Sequence, residues 1–189
     1  DSLSHTGIPY VSEECLPQTT TSSYWLTDPL DGTRGFIQGE DTFAISIALV
    51  EADEPVGGVI YVPVEDRMYS AAHQLVTFSV AEDPRPDGAI LSENESSELG
   101  KALFEAMVAL PHVASAACRA MKVATGGAAL WYDSREQFGT WDLAAAVPIM
   151  RAAGKVIVSA RHEPLNFRDV LQKQSVLAYD PGTRVVEGQ

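Results

Sequence analysis

The sequence predicts an α+β protein in which strands and helices are interleaved without strict alternation. The first half holds strand-like apolar runs separated by turn residues, and long stretches with apolar positions at helical spacing begin near Leu99. Two more strand-like runs follow the last predicted helix. A regular alternation of strands and helices would favour a doubly wound parallel sheet, so this order favours α+β layering instead.

The length and the charge of the chain restrict its partners. With 189 residues it fits one domain or two small lobes, and a hydrophobic fraction of 46% is ample for a buried core. The 13 Lys and Arg residues against 26 Asp and Glu residues give a formal charge of -13. Because such a charge repels nucleic acid and anionic lipid, we expect no nucleic acid polymer and no membrane as a partner.

Cysteine usage and the lack of targeting signals bear on the compartment. Cys15 and Cys118 are too few for a disulfide framework and have no CxxC spacing, which favours a reducing compartment, and we expect the cytoplasm. No apolar run approaches the ~18 residues of a membrane span, and no basic-then-apolar signal opens the chain. Because the first residue is Asp rather than Met, a start within a longer protein stays open.

Four strands are predicted in the first half. Residues 24–28 (YWLTD) predict a short strand that ends at Asp28, because Pro29 interrupts the apolar run and places the acids on a loop. The other three predict an antiparallel meander, with turn residues after the first of them. They are FAISIALV at 43–50, VGGVIYV at 56–62 and RMYSAA at 67–72.

Residues 80–97 separate the two halves. Proline and acidic residues lie on both sides of the short apolar piece AIL, which predicts a loop or a lobe boundary. We therefore expect an N-terminal α+β lobe of residues 1–88, which carries the acidic motif, and a C-terminal α/β lobe of residues 89–189, which supplies Asp142.

The second half contains predicted helices and strands. A helix is predicted from Leu99 to a stop at Pro111, because apolar residues recur three or four positions apart between them. A second helix is expected at 114–124, and a third at 141–154 (WDLAAAVPIMRAAG), which ends in a glycine. Strands are predicted at 127–133, 155–160 and 175–180.

A group of acidic residues lies where predicted strands or loops end or helices begin, which is where rigid scaffolds usually hold chemistry. Oxygen ligands without a cluster of His or Cys suit Mg²⁺ or Mn²⁺ rather than zinc. Substrate phosphate commonly completes such a site, and the metals would neutralise the repulsion between the acids and the ester. The candidates are Glu13 and Glu14 in VSEEC, Asp28 and Asp31 in TDPLDGT, and Asp142 in TWDLAAA.

The segment DPLDGTRGF places its polar groups close together. Pro29 fixes the loop, so that both neighbouring aspartates and the Leu30 carbonyl between them can point at neighbouring ions. Gly32 lets the backbone approach a ligand closely. Residues 33–36 can begin a helix whose free N–H groups face a phosphate, with the Thr33 hydroxyl beside them.

Other interpretations stay open when each segment is taken alone. Asp-Pro-Leu-Asp-Gly is more often a surface turn, because these residues are common turn formers. Asp142 suits a helix N-cap as well as a metal ligand, and adjacent glutamates such as Glu13 and Glu14 are more often a solvated pair. Arg34 suits an exposed helix position as well as a phosphate contact.

Several catalytic and metal-binding motifs do not fit the sequence. Phosphatases that form an aspartyl-phosphate use Asp-x-Asp-Gly-Thr, but Pro29 stands where their nucleophile would be, which argues against covalent catalysis. An EF-hand aligned on Gly32 fails at Thr27, Pro29 and Gln38. The sequence also has no P-loop and no GxSxG elbow.

The motifs VSEE, WLTDPLDGTRGF, ATGG and WDLAAAVPIMRAAG occur in this order along the chain. Together they closely resemble the lithium-sensitive, magnesium-dependent phosphatases of the inositol monophosphatase superfamily, over about Ile8 to Tyr179. DGTRGFI followed by GEDTFAISIALV is most similar to the 3′(2′),5′-bisphosphate nucleotidases. By contrast, ATGGA at 124–128 is more similar to the inositol branch.

This resemblance implies a fold of α/β/α/β/α layers, often assembled as a dimer. It implies a phosphomonoesterase that depends on two or three Mg²⁺ ions. The expected substrate is 3′-phosphoadenosine 5′-phosphate (PAP), which would yield AMP and phosphate. An inositol-1-monophosphatase is the alternative, and a noncatalytic homologue that binds metal and phosphate is a second alternative.

The resemblance also implies roles for individual residues. The implied reaction is in-line attack on phosphorus by a water that metal ions activate, with catalytic roles for Glu13, Asp28 and Thr33. Asp28 would bridge two ions, and Glu14 is a candidate outer-shell base. The expected metal ligands are Glu13, Asp28, Asp31, Asp142 and the Leu30 carbonyl, and the expected substrate contacts are Gly32, Thr33 and Asp142.

The sequence departs from the family pattern in three places. Family members have about 60 to 80 further residues before the segment that matches VSEE, including two helices and an Asp that works with Thr33. We expect this chain to lack those helices, either through truncation or because they lie outside this sequence. The chain also passes directly from AAH to QLVTFSV without a Gly-rich hairpin, and it replaces a Gly-Ser pair near Ser115 and Ala116.

Overall fold

The computed structural model describes residues 3–15, 21–72, 75–77, 84–92 and 94–183. The strands are β1 (Tyr10–Ser12), β2 (Ser23–Asp31), β3 (Ala44–Glu51), β4 (Glu54–Val62), β5 (Arg67–Ala72), β6 (Leu75–Thr77), β7 (Gly88–Leu91), β8 (Val108–Ala109), β9 (Leu130–Phe138), β10 (Val156–Val158) and β11 (Gln174–Tyr179). The helices are α1 (Thr33–Ile37), α2 (Glu98–Ala106), α3 (Ala116–Thr125), α4 (Thr140–Leu143) and α5 (Ala146–Ala152), and 3₁₀ turns lie at Leu3–Thr6 and Pro63–Glu65.

The first sheet contains β1 to β6 in sequence order. The predicted antiparallel meander of β3, β4 and β5 is confirmed, and Ala52 and Asp53, with φ of 49° and 68°, form the turn between β3 and β4. The sequence did not predict β1, which pairs in parallel with β2. The predicted direct connection from AAH to QLVTFSV falls partly on residues 73–74 and 78–83, which lie outside the described residues.

Strand β2 is longer than predicted. The prediction that the strand ends at Asp28 and that the acids follow on a loop is wrong, because β2 continues to Asp31. Its register against β3 shifts between Asp28 and Asp31. Proline has no N–H to donate to a ladder, and a strand tolerates it at such an irregularity, so β2 continues through Pro29.

The second sheet has the strand order β10-β11-β9-β7-β8. The piece AIL belongs to β7, so the prediction of a loop throughout 80–97 is wrong for this part. The helix predicted to reach Pro111 ends at Ala106 instead. The backbone N–H groups of Val108 and Leu110 donate to the carbonyls of Asp87 and Ala89, so this segment pairs with the edge of β7 rather than continuing the helix.

The helix predicted at 141–154 is divided into α4 and α5. Pro148 lies in the first turn of α5, where its missing N–H costs no helical hydrogen bond, and the chain makes a turn between the two helices. Gly154 follows α5 with φ of 70°, as expected of a helix stop. The predicted second helix is confirmed as α3, with Ser115 as its N-cap and Gly126 as its C-cap.

The layers follow from the burial pattern of β9. Trp131 packs into the cluster formed by both sheets and by α3, α4 and α5. Its neighbours Leu130 and Tyr132 pack on the opposite face with Leu103 of α2. The order is therefore sheet, helices, sheet, helix, which confirms the predicted α+β layered sandwich. The predicted lobe boundary between residues 88 and 89 stays a prediction.

No helix among the described residues is long and apolar enough to cross a membrane.

Candidate metal centre

Three acidic side chains meet at one point of the fold. Asp28 and Asp31 come from the end of β2, and Asp142 comes from α4. One carboxylate oxygen from each lies within 4.8 Å of the others. The structure therefore brings together three of the five candidate acids, although Asp142 is far from the other two along the chain.

The local backbone fixes Asp28 and Asp142. The Leu30 N–H donates to Oδ1 of Asp28 over 2.9 Å, across the irregular part of β2. Asp142 is the third residue of α4, and its Oδ2 accepts a 2.6 Å hydrogen bond from the N–H of Gly139. Gly139 holds the N-cap position, so the interpretation of Asp142 as an N-cap is wrong. Each of these carboxylates has a further oxygen, whose lone pairs a cation can use.

Asp31 is held by the beginning of α3. The Ser115 hydroxyl donates to Oδ2 of Asp31 over 2.5 Å, and the N–H groups of Ala117 and Ala116 donate over 2.6 and 3.2 Å. Ser115 also accepts from the N–H of Cys118, which makes it the helix cap. This contact was not predicted from the sequence, although a serine directly before a helical stretch is an N-cap signal.

Burial and mutual repulsion make these carboxylates poor anions without a cation. Asp28 is 1% exposed and Asp31 is 5% exposed. Burial, followed by the Asp31 charge, raises the pKa of Asp28 to about 9 and that of Asp142 to about 7. Burial also raises the pKa of Asp31, against the hydrogen bonds from Ser115 and the start of α3. Oxygen donors in this state fit a hard divalent cation, which would offset their repulsion.

The two glutamates of VSEE lie apart from this group. Glu13 is exposed in the turn after β1, and its N–H donates to the Thr27 carbonyl over 3.1 Å. It lines the same cleft as the three aspartates, and its charge contributes to the raised pKa values of Asp28 and Asp142. Glu13 is nevertheless outside the 4.8 Å group, and Glu14 is exposed and outside the lining of the cleft.

The turn after β2 also borders the cleft. Gly32 has φ of 92°, and a Cβ there would lie 2.8 Å from the Thr42 carbonyl oxygen and 3.1 Å from Cβ of Ser115. Only glycine therefore fits between the turn and the start of α3. Thr33 begins α1, and its hydroxyl donates to the Leu30 carbonyl over 2.8 Å. Arg34 is exposed and lines the cleft, so both interpretations of it stay open.

Two arginines that the sequence analysis missed lie in the same cleft, which has a volume of about 530 Å³. Arg135 forms a two-point contact with Asp133, from Nε to Oδ1 over 2.9 Å and from NH2 to Oδ2 over 2.8 Å. Arg119 is 8% exposed, its guanidinium lies 3.8 Å from Oδ2 of Asp133, and its Cζ is 5.7 and 5.8 Å from the ring centroids of Trp131 and Phe138. Asp133 is fully buried. The acidic and basic groups thus share one cavity between the two sheets.

Arg119 has an environment unusual for a cation. Its Nε donates to the Val113 carbonyl over 2.6 Å. Burial lowers the pKa of Arg119, while the charges of Asp133 and Asp31 act in the opposite direction. In the sequence Arg119 is one of two basic residues in the predicted helix, which does not specify a partner.

Comparison with known proteins identifies a family. The model of the inositol monophosphatase family matches residues 6–185. A 3′(2′),5′-bisphosphate nucleotidase CysQ from Shigella flexneri is 32% identical over 191 residues, which cover 94% of this chain and 75% of that protein. A fructose-1,6-bisphosphatase/inositol-1-monophosphatase from Aquifex aeolicus is 27% identical over 88% of this chain and 69% of that protein.

The fold has a counterpart among solved structures. Inositol monophosphatase II from Staphylococcus aureus superimposes with a TM-score of 0.79 and 22% identity, over 96% of this chain and 72% of that chain. At this identity the likeness is one of fold.

Proposed function

Because this chain belongs to the inositol monophosphatase family, whose members include phosphoric monoester hydrolases, we propose that it removes phosphate from a 3′(2′),5′-bisphosphate nucleotide such as PAP. The observation that carries the choice of substrate is the pair Arg119 and Arg135 in the cleft that holds the three aspartates. The similarity to nucleotidases named CysQ supports the same choice.

The acidic group fits magnesium, and we propose two or three Mg²⁺ ions as cofactors. Asp28, Asp31 and Asp142 would hold them, with Glu13 at the edge of the cleft and the Leu30 carbonyl as further ligands. When bound, Mg²⁺ supplies positive charge that stabilises the phosphoryl oxygens and acidifies an attacking water.

The residues of the turn after β2 would bind and orient the reacting groups. We propose that the backbone at Gly32 and Thr33 contacts the phosphoryl oxygens, because both residues line the cleft. The Thr33 hydroxyl proton points to the Leu30 carbonyl, so the lone pairs of its oxygen stay available. That oxygen can accept a hydrogen bond from the attacking water and orient it in line with the leaving group.

The arginines favour a substrate with a second phosphate. The two guanidinium groups share the single charge of Asp133, so these three groups together carry a formal charge of +1. Guanidinium groups bind phosphate through paired hydrogen bonds. An inositol monophosphate has no second phosphate for this charge, but the relative from Aquifex aeolicus keeps inositol monophosphatase as the second candidate.

A substrate comparison tests this proposal. We expect kcat/KM with Mg²⁺ to be at least about tenfold higher for PAP than for inositol 1-phosphate or fructose 1,6-bisphosphate. Arg135→Gln should lower the value for PAP about tenfold and change the value for inositol 1-phosphate much less. Arg161→Gln is the matched control, because the Arg161 side chain is 74% exposed and pairs with Glu136 rather than with Asp133.

Other outcomes would reject the proposal. A preference for inositol 1-phosphate would establish the second candidate instead. Inactivity toward all three esters, together with Mg²⁺-dependent binding of PAP in calorimetry, would indicate a noncatalytic homologue. Lithium inhibition, a dimeric state and a cytoplasmic location remain predictions, and the same assay with added Li⁺ tests the first of them.

A further inference from the structure

A single carboxylate outside the metal centre joins a loop to the second sheet. Oε1 of Glu95 accepts hydrogen bonds from the N–H of Ser97 over 2.8 Å and from the hydroxyl of Ser134 over 2.9 Å. Its Oε2 accepts from the N–H of Ser134 over 2.8 Å. Ser134 is in β9, whereas Glu95 and Ser97 precede α2. Glu95 therefore ties these two segments together.

The surroundings of Glu95 are shaped to hold it. A Cβ at Gly100 would overlap with Cγ of Glu95, so the glycine leaves the space through which the side chain passes. Ser97 caps α2 by accepting from the N–H of Gly100 over 3.0 Å, and its hydroxyl lies 3.1 Å from that of Tyr132 in β9. Burial opposes ionisation of Glu95, but the hydrogen bonds from Ser134 and Ser97 lower its pKa. Hydrogen bonds and the space left by Gly100 therefore hold the Glu95 side chain in one position.

Both segments joined by Glu95 reach the metal cleft. Ser92 and Asn94 line it on the loop side, just before Glu95. Arg135 and Gln137 line it on the β9 side, just after Ser134. A change at Glu95 would alter the spacing between these two parts of the wall without touching Asp28, Asp31 or Asp142.

We propose that Glu95 is a positioning residue for substrate selection. It holds the hydroxyl of Ser92 and the amide of Asn94 at a fixed distance from Arg135, so that these groups bind the alcohol portion of the ester, the part beyond the reacting phosphate. This proposal rests on the proposed function, because it takes that alcohol portion to be a phosphorylated nucleoside. A nucleoside offers sugar hydroxyls and ring nitrogens to a hydroxyl and an amide, and a second phosphate to an arginine.

The test compares a large ester with a small one. In Glu95→Gln one carboxylate oxygen becomes an N–H₂ group, which must then face a backbone N–H donor. We therefore expect KM for PAP to rise about fivefold or more, with kcat within about twofold of the wild-type value. KM for p-nitrophenyl phosphate, which offers no sugar, base or second phosphate, should stay within about twofold. Glu98→Gln removes the same charge from a side chain that is 94% exposed and should change neither value.

A second variant guards against a loss of folding. Ser134→Ala removes one hydrogen bond to Glu95 and keeps the backbone donor of the same residue, so KM for PAP should rise about twofold to threefold. Circular dichroism confirms that each variant is folded before it is assayed.

The outcomes separate the two proposals. An unchanged KM for PAP in folded Glu95→Gln, or an equal rise for both esters, would overturn the role of Glu95. Hydrolysis of inositol 1-phosphate but not of PAP by the wild-type chain would overturn the proposed function alone, and the same comparison would then be made with inositol 1-phosphate. Wild-type inactivity toward all of these esters would overturn both.

Discussion

At the scale of single residues, Asp31 links the candidate metal centre to the packing of the chain. It lies within reach of Asp28 and Asp142, and it also accepts hydrogen bonds from Ser115, Ala116 and Ala117. Because these donors fix its oxygens, Asp31 can offer a lone pair to a cation without a search among rotamers. Its side chain therefore supports both metal binding and the position of α3.

Replacing Asp31 by Asn should separate these two roles. Asn keeps the size and one carbonyl oxygen but loses the negative charge, so we expect kcat with saturating Mg²⁺ to fall by about two to four orders of magnitude. The fold should persist, because the substitution also removes a charge that is costly to bury. Steady-state kinetics and a thermal melt measure the two effects.

The control for this variant is Asp41→Asn, which removes the same charge at an exposed position outside the cleft. It should have wild-type kinetics. Wild-type turnover in Asp31→Asn would remove Asp31 from the site, and loss of cooperative melting would show that its main role is in packing.

At the scale of elements, two helices begin with the same capping arrangement but in different places. Ser115 caps α3 through the Cys118 N–H and donates to Asp31, whereas Ser97 caps α2 through the Gly100 N–H and lies beside Tyr132. The caps have similar chemistry, and only the first contacts the candidate metal centre.

This difference gives a matched pair of variants. Ser115→Ala and Ser97→Ala should each lower stability by about 1 to 2 kcal/mol, since each leaves a helix N–H without its cap. Only Ser115→Ala should raise the Mg²⁺ concentration for half-maximal activity, by about threefold or more, because Asp31 loses its shortest hydrogen bond. Chemical denaturation and a Mg²⁺ titration of activity are the measurements. Equal Mg²⁺ dependence in both variants would contradict a link between α3 and the metal.

The elements also show what sequence patterns could and could not predict. The meander and α3 were predictable, because their apolar periodicity and turn residues are local signals. The extension of β2 through Pro29 was not, because a proline within a strand is tolerated only where tertiary pairing is irregular. Strand β8 has two residues and exists through its pairing with β7, which no local pattern of that length can specify.

The candidate site divides in the same way. Asp28 and Asp31 stand in one motif, so their proximity could be predicted from the chain itself. Asp142 was a candidate by its place at a predicted helix start, and only the family resemblance joined it to the other two. Arg119 and Arg135 were missed, because their position in the cleft depends on how α3 and β9 pack, which single residues in the sequence do not reveal.

At the scale of the whole molecule, the fold brings three aspartates together in the candidate metal centre of a chain that is already strongly acidic. The formal charge is -13, and burial raises the pKa of Asp28 to about 9 and that of Asp142 to about 7. In the unfolded chain an aspartate has a pKa of about 4. The folded state therefore binds more protons than the unfolded state between these values, so that stability decreases as the pH rises through this range.

Magnesium should weaken this dependence on pH, because a bound cation takes the place of the protons and binds the folded state only. Without divalent cations, in EDTA, we expect the melting temperature to decrease from pH 5.5 to pH 8.5. The increase that Mg²⁺ causes should be about 5 °C or more at pH 8.5 and smaller at pH 5.5, where protons compete for the carboxylates. Scanning calorimetry at matched ionic strength, with NaCl in place of MgCl₂, separates specific binding from charge screening. Asp31→Asn should lose most of the Mg²⁺ effect, whereas Asp41→Asn should keep it. If Mg²⁺ shifts the melting temperature equally at both pH values, or no more than NaCl does, the three aspartates do not hold the cation.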